Sequence, residues 1–107
     1  MSLDVYLIKV KPTSVYSANI THNLGKMAEK AGIYKALWRP EEIGIKKAKD
    51  LIPILEAGLE KLKRKPAYFK KLNPKNGWGS YEDLIEFVEN YLAACRENPT
   101  AKIEVSR

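Results

Sequence analysis

The chain has 107 residues, of which 45% are hydrophobic and 30% charged, and its formal net charge is +6. This balance predicts a single globular domain, residues 1–107, and excludes a disordered chain. No apolar run has the length of a membrane span, and MSLDVYLIKV does not have the pattern of a secretory signal, so we expect a cytoplasmic protein without membrane association. Cys95 is the only cysteine, which excludes an internal disulfide and a cysteine-rich zinc site.

Two segments near the start predict β-strands. VYLIKVK is rich in β-branched and aromatic residues and predicts a strand over residues 4–11, ended by Pro12. In SVYSANI, Tyr16, Ala18 and Ile20 alternate with other residues, which predicts a second strand over 14–20.

The next segment predicts a helix over residues 22–31. Its apolar residues follow helical spacing, with Thr21 as the N-cap and Gly32 as the stop. IYKALW, residues 33–38, predicts a short helical turn that Arg39-Pro40 ends.

Two longer helices follow. An apolar stripe from Ala48 to Leu62 runs through Pro53 without losing its phase, which predicts either one kinked helix or two helices on one axis. From Ser80, a second stripe extends to Cys95, with Ser80 and Asp83 spaced as in a capping box. Cys95 lies on that stripe, which indicates packing rather than a nucleophile.

The C-terminal segment AKIEVSR alternates again and predicts a third strand over 102–106. The predicted fold is therefore α+β, in the order β-β-α-α-α-β. A small three-stranded sheet, which includes both chain termini, should pack against three to four helices.

Positive charge is concentrated in residues 44–75, where ten Lys/Arg and three Asp/Glu give a balance of +7. Such a segment can attract nucleic-acid phosphates. The alternative is a solvated helix face, which the excess of lysine and the lack of interleaved aromatic residues favour.

The sequence has no motif that argues for an enzyme. It lacks GxxxxGK[ST], GxGxxG, GxSxG and HExxH, and a single histidine, His22, makes a histidine-based metal site or a serine triad improbable. The helix after Ser80 carries four acidic residues that could bind a cation, although that spacing is more typical of a solvated face. We therefore expect no catalytic residues, no metal and no cofactor.

Two polar and aromatic clusters remain as candidates for a ligand site. The second cluster lies in the loop KLNPKNGWGS and just after it. The two clusters consist of Tyr16, Asn19, Thr21, His22 and Asn23, and of Asn73, Asn76, Trp78 and Tyr81.

Both clusters also have a purely structural interpretation. Thr21 can cap a helix, the asparagines can bond loop backbone groups, and Trp78 can cover one edge of the core. A helix N-terminus also favours an anion, and nearby aromatic faces suit a flat ring. As a ligand site, the clusters would share one cleft at the start of the 22–31 helix, where Arg39 would add a positive charge. The predicted ligand-binding residues are Tyr16, Asn19, Thr21, His22, Asn23, Arg39, Asn76, Trp78 and Tyr81.

The same segments resemble a family of small proteins of tailed bacteriophages and prophages. The resemblance covers nearly the whole chain and is most specific in two motifs, NxTxN (Asn19, Thr21, Asn23) and NGWGxYE (Asn76 to Glu82). It implies an accessory phage protein in the cytosol of the bacterial host. Some members of the family carry a CxxC between the first two strands. This chain has only residues 11–14 there, so the resemblance implies no metal site.

Three functions are compatible with the sequence. The leading hypothesis is a non-enzymatic phage protein that sequesters a small anionic or nucleotide-like ligand, for example to counteract a host defence signal. The second is a protein-interaction module, acting as an oligomer, that docks on a host or virion protein. The third is a nucleic-acid binder that uses residues 44–75.

Overall fold

The structure, a computed structural model, describes residues 1–10 and 13–107, so the predicted end of the first strand at Lys11 and Pro12 lies outside the described residues. Three antiparallel strands form one sheet with the order β2-β1-β3. They are β1, Ser2–Val10; β2, Thr13–Thr21; and β3, Lys102–Ser106. Both terminal strands belong to this sheet, and several helices pack against it. The predicted α+β fold and its β-β-α-α-α-β order are confirmed.

Side-chain alternation in β1 shows which face of the sheet the helices cover. Leu3, Val5 and Leu7 are fully buried, whereas Asp4 and Tyr6 between them stay partly exposed. In β2, Leu7 pairs with Tyr16 but Ile8 pairs with Ser14, so Val15 is an extra residue that forms a β-bulge. Pairing between the two strands is regular from Tyr16 to Thr21.

Five α-helices and two 3₁₀ turns occupy the described chain between β2 and β3. The longest two, α3 and α5, pack against each other, and α5 also covers β2. The helices are α1, Gly25–Lys30; α2, Tyr34–Trp38; α3, Ala48–Arg64; α4, Pro66–Lys70; and α5, Tyr81–Glu97, and the 3₁₀ turns are His22–Leu24 and Pro40–Ile43. None of the helices in residues 1–10 and 13–107 combines the length and the apolar character needed to cross a membrane.

The helix predicted over 22–31 is shorter and divided. A 3₁₀ turn, His22–Leu24, precedes α1, and Leu24 between the two has φ −93° and ψ 2°, outside α-helical geometry. Gly32, with φ 80°, lies just after α1, where the sequence places the stop. By contrast, Pro53 lies inside one continuous helix, α3, because the apolar stripe on both sides of it packs into the same core.

Tyr91 has a buried hydroxyl without a hydrogen-bond partner in the described part of the chain. Tyr91 is 0% exposed, and its hydroxyl has no hydrogen-bond partner among the described residues. Burial raises the pKa of this phenol, so it stays neutral. We expect Tyr91→Phe to leave the free energy of unfolding unchanged or to raise it by up to about 1 kcal/mol, because a buried hydroxyl without a partner carries a desolvation penalty. Urea denaturation measures the difference.

Tyr81→Phe is the matched control for this prediction. The hydroxyl of Tyr81 donates a 2.7 Å hydrogen bond to the Leu62 carbonyl, and the residue is also buried. Its removal should therefore cost about 1 kcal/mol and leave a buried carbonyl without its partner. Equal losses in the two variants would contradict the assignment of Tyr91 as unsatisfied.

Candidate functional site

An open groove of about 630 Å³ lies between β2 and α5. One wall is the edge strand β2, the other is a face of α5, and the loop of residues 77–79 borders it. We call this feature the β2–α5 groove. Its lining residues are Tyr16, Ala18, Asn19, Ile20, Thr21, Leu24, Gly77, Trp78, Gly79, Asp83, Glu86, Phe87 and Asn90.

The wall formed by β2 is apolar on its helix-facing side. The alternation of Tyr16, Ala18 and Ile20 in the sequence predicts this face, and all three pack against the core. The Tyr16 ring stacks on Tyr91 of α5 with centroids 5.9 Å apart and an angle of 11°. Burial, and after it the proximity of Cys95, raises the pKa of Tyr16. Tyr16 is therefore a neutral, packed side chain rather than a base.

Cys95 lies behind this wall and is fully buried. Burial raises the pKa of its thiol to about 12. A thiol with that pKa stays protonated at neutral pH, so it is a poor nucleophile. The predicted packing role fits this environment.

Two glycines fix the loop that carries Trp78. Gly77 has φ 77° and Gly79 has φ 103°, a region that side chains with a Cβ rarely adopt. A Cβ on Gly79 would also lie 2.7 Å from Cγ2 of Thr21, so the loop backbone touches the end of β2. As a result Trp78, which is 67% exposed, stands beside the strand.

The two asparagine side chains of this loop form hydrogen bonds with backbone groups. Oδ1 of Asn76 accepts a 2.9 Å hydrogen bond from the backbone N–H of Trp78. Oδ1 of Asn73 accepts a 2.8 Å bond from the backbone N–H of Tyr81, at the start of α5. Both asparagine oxygens therefore orient the loop, as the structural interpretation of this cluster predicts.

The α5 wall is acidic. Asp83, Glu86, Phe87 and Asn90 share one helix face, at helical spacing, and all four line the groove. Neither Asp83 nor Glu86 forms an ion pair within the described part of the chain. The described residues that line the groove include no lysine or arginine, in a chain whose formal net charge is +6.

The structure brings together four of the nine predicted ligand-binding residues: Tyr16, Asn19, Thr21 and Trp78 line the same groove. The two predicted clusters thus meet. Asn19 lines the groove at the strand edge, but its amide nitrogen donates to Ser2 Oγ at 2.8 Å and Asp4 Oδ1 at 2.7 Å on the neighbouring strand.

The other five residues do not line the groove, and three of them form contacts elsewhere. Nδ1 of His22 accepts a 2.7 Å hydrogen bond from Nε1 of the buried Trp38. Arg39 pairs with Glu42 at 3.1 Å. Tyr81 is buried, and its hydroxyl is bonded in the core.

Asn23 and Asn76, the remaining two, bond to their own turns. The side chain of Asn23 donates to Thr21 Oγ1 at 3.0 Å, and its backbone N–H donates to the same oxygen at 3.2 Å. The backbone N–H of His22 donates to the carbonyl of Met1. These hydrogen bonds occupy the backbone N–H groups of His22 and Asn23, so neither group is free to bind an anion. The helix that follows the 3₁₀ turn, α1, has only six residues. The geometry expected for an anion at this helix N-terminus is not formed.

Glu86, Phe87 and Asn90 are groove residues that the sequence does not reveal. The sequence shows that four acidic residues share one surface of α5, but it does not show which of them pair with lysines and which line the groove. In the structure Glu82 pairs with Lys70 and Glu89 with Lys63. Only the position of those lysines, on α4 and α3, separates the paired acids from the acids of the groove.

The described residues contain no group of three His, Cys, Asp or Glu side chains placed to hold a metal ion. Several basic residues of segment 44–75 are engaged with carboxylates: Lys63 pairs with Glu89, Arg64 with Glu60, and Lys70 with Glu82.

Comparison with protein-family models finds no match, and neither does comparison with curated proteins or with solved structures. The resemblance to the phage proteins therefore stays a prediction, and a functional assignment has to be argued from the groove.

Proposed function

We propose that the protein is a protein-interaction module whose β2–α5 groove binds an extended segment of a partner protein as an additional strand on β2. The observation that carries this proposal is an edge strand with an open groove beside it. Among the described strands β2 has a single neighbour, β1, and its nine residues, TSVYSANIT, include no charge. An edge strand without charged residues is a template for pairing, and strand addition is a common mode of peptide recognition.

The regular part of β2 sets the size of the segment. Pairing with β1 is regular over residues 16–21, and the bulge at Val15 interrupts it beyond that point. At roughly 3.4 Å per residue, this edge is about 20 Å long. A partner segment of comparable length could form its backbone hydrogen bonds with the outer edge of β2. Its side chains would contact Phe87 on α5 and the exposed Trp78.

The chemistry of the groove favours a polypeptide over the small anion of the leading sequence hypothesis. Asp83 and Glu86 would repel an anionic ligand, and no described lysine or arginine lines the groove to offset them. His22 and Arg39, two of the predicted ligand-binding residues, are bonded to Trp38 and Glu42.

The proposed occupant is a different protein rather than a second copy of this chain. Two copies that paired through β2 around a two-fold axis would place their α5 helices side by side on the same face of the sheet. The carboxylates of Asp83 and Glu86 in one copy would then face those of the other copy. Like charges in such proximity disfavour the contact. The resemblance to phage proteins suggests a host or virion protein as the partner.

The test selects short peptides from a displayed random library and maps their binding by NMR. We expect the selected peptides to shift the amide signals of residues 16–21 and the indole signal of Trp78. Trp78→Ala should weaken their binding at least about tenfold, as expected for loss of an aromatic anchor. Tyr68→Ala is the matched control, because Tyr68 is also an exposed aromatic residue but does not line the groove.

Peptides with N-methylated backbone amides separate strand addition from side-chain docking. Alternate N-methylation removes the donors that a paired strand needs and should abolish binding, whereas methylation in the other phase, facing solvent, should be tolerated. Equal binding of both methylated forms would exclude strand addition. Signal changes confined to another surface would exclude the groove.

A further inference from the structure

We propose that the β2–α5 groove selects a cationic segment, with lysine or arginine residues at positions i and i+2 that bind Asp83 and Glu86. This inference rests on the proposed function and specifies the chemistry of the partner.

Glu86 has acidic neighbours along α5. On its own helix, Glu86 is spaced three or four residues from Glu82, Asp83 and Glu89, all of which are acidic. Each like-charge pair at such spacing destabilises a helix. Glu86 also lies beyond the first helical turn, so the helix dipole does not compensate for the repulsion.

Neighbouring lysines form ion pairs with Glu82 and Glu89 but, among the described residues, not with Asp83 and Glu86. Lys70 lies 3.6 Å from Glu82, and Lys63 lies 2.7 Å from Glu89. Within the ranges 1–10 and 13–107, Asp83 and Glu86 have no such partner, and both face the groove. An incoming cation would supply the missing partner and relieve the repulsion along α5.

The geometry of a paired strand matches this pair of acids. Successive side chains of a strand point to opposite faces, so residues i and i+2 of the added segment both face α5 and lie about 7 Å from each other. Asp83 and Glu86 are three residues apart in α5, and residues at that spacing on a helix have Cβ atoms about 5–6 Å apart. Two cations on one face of the segment can therefore reach the two carboxylates together.

Trp78 adds a second feature that suits a cation. Its indole is 67% exposed and lines the same groove as the two carboxylates. Lysine and arginine bind the face of tryptophan more strongly than that of other aromatic residues. A cationic segment can thus contact carboxylates on α5 and an aromatic face on the loop, whereas an acidic segment would meet repulsion from both.

The test compares three short synthetic peptides of alternating threonine and valine. They differ only at two positions, i and i+2, which carry arginine, glutamine or glutamate. We expect the arginine peptide to bind at least about tenfold more tightly than the glutamine peptide at low salt, and the advantage to shrink as salt rises. The glutamate peptide should bind most weakly. NMR signals of residues 16–21 and of Trp78 verify that binding occurs in the groove.

Variants of the two acids make the test specific. Asp83→Asn with Glu86→Gln should remove the preference for arginine, and Asp83→Lys with Glu86→Lys should reverse it in favour of glutamate. Glu82→Gln is the matched control, because Glu82 lies outside the groove and should leave the preference unchanged. Melting temperatures verify that each variant is folded.

The outcomes separate this inference from the proposed function. If all three peptides bind the groove equally and the variants have no effect, the charge preference is wrong while strand binding stands. If none of the peptides binds in the groove and the displayed library also yields no groove binder, both proposals are wrong. Self-association through β2, detected as a dimer that Asp83→Asn with Glu86→Gln strengthens by removing the like charges, would also overturn the choice of a cationic partner.

Discussion

Deletion of residues 101–107 is expected to lower the free energy of unfolding by several kcal/mol, a large fraction of the stability of a small domain. β3 pairs with β1 over five positions, from Asp4–Ser106 to Ile8–Lys102. Ala101 is fully buried, and its carbonyl accepts a 2.9 Å hydrogen bond from the backbone N–H of Ala48, the first residue of α3. The deletion therefore exposes core side chains and removes a backbone cap of α3. Urea denaturation followed by circular dichroism measures the loss.

Arg107→Ala is the control for this truncation. Nη1 of Arg107 donates to the Trp38 carbonyl and to Glu41, both at 2.8 Å, without taking part in the strand. Loss of one partly exposed arginine should cost about 1 kcal/mol or less. If the substitution destabilises the protein as much as the truncation does, the loss does not come from β3. A truncated protein that melts like the full-length chain would contradict the sheet topology.

The elements that the sequence predicts well are those whose pattern is set by burial. The stripe from Tyr81 to Cys95 has a period near that of an α-helix because one side of α5 is buried along its whole length. The alternation of Tyr16, Ala18 and Ile20 similarly reflects a strand with one face against the core. In both cases the spacing of the buried residues along the segment determines whether it forms a helix or a strand.

The division of the predicted 22–31 helix depends on short-range geometry that the apolar pattern does not encode. Leu24, Met27 and Ala28 are all buried, so the helical spacing is real. However, Thr21 Oγ1 accepts the backbone N–H of Asn23, and the turn that follows is 3₁₀ rather than α. A tighter first turn keeps the same residues in the core, so the sequence pattern cannot distinguish the two forms.

The sequence predicts the candidate site less completely than the fold, because the site depends on contacts between residues that are far apart in the chain. His22 is a plausible ligand residue until Trp38, 16 positions later, is found to donate to its ring. Likewise, the acidic residues of α5 look equivalent in the sequence, and only the structure shows that Glu82 pairs with Lys70 and Glu89 with Lys63. The contact of Gly79 with Thr21, by contrast, joins the two predicted clusters in the groove.

Gly58→Ala is expected to destabilise the protein by about 1–3 kcal/mol, although the same change at most positions inside a helix stabilises by about 1 kcal/mol. Gly58 lies in the buried face of α3, and an added Cβ would be 2.2 Å from Cγ2 of Ile33. Ile33 is 0% exposed, and its β-branched side chain cannot move away without displacing its neighbours. Overpacking therefore outweighs the gain in helix propensity, and chemical denaturation should show the loss.

A double-mutant cycle with Ile33→Ala tests this explanation. That substitution removes Cγ2 and costs about 2–5 kcal/mol by itself through the cavity it leaves. In its background, Gly58→Ala should become neutral or stabilising, because the remaining Cβ of Ile33 is 3.4 Å away, an ordinary contact. The two changes should thus couple by more than about 1 kcal/mol. Ala57→Gly, at the exposed neighbouring position, should lose only about 1 kcal/mol of helix propensity. A Gly58→Ala variant as stable as the parent protein would show that α3 and the segment of Ile33 do not approach so closely.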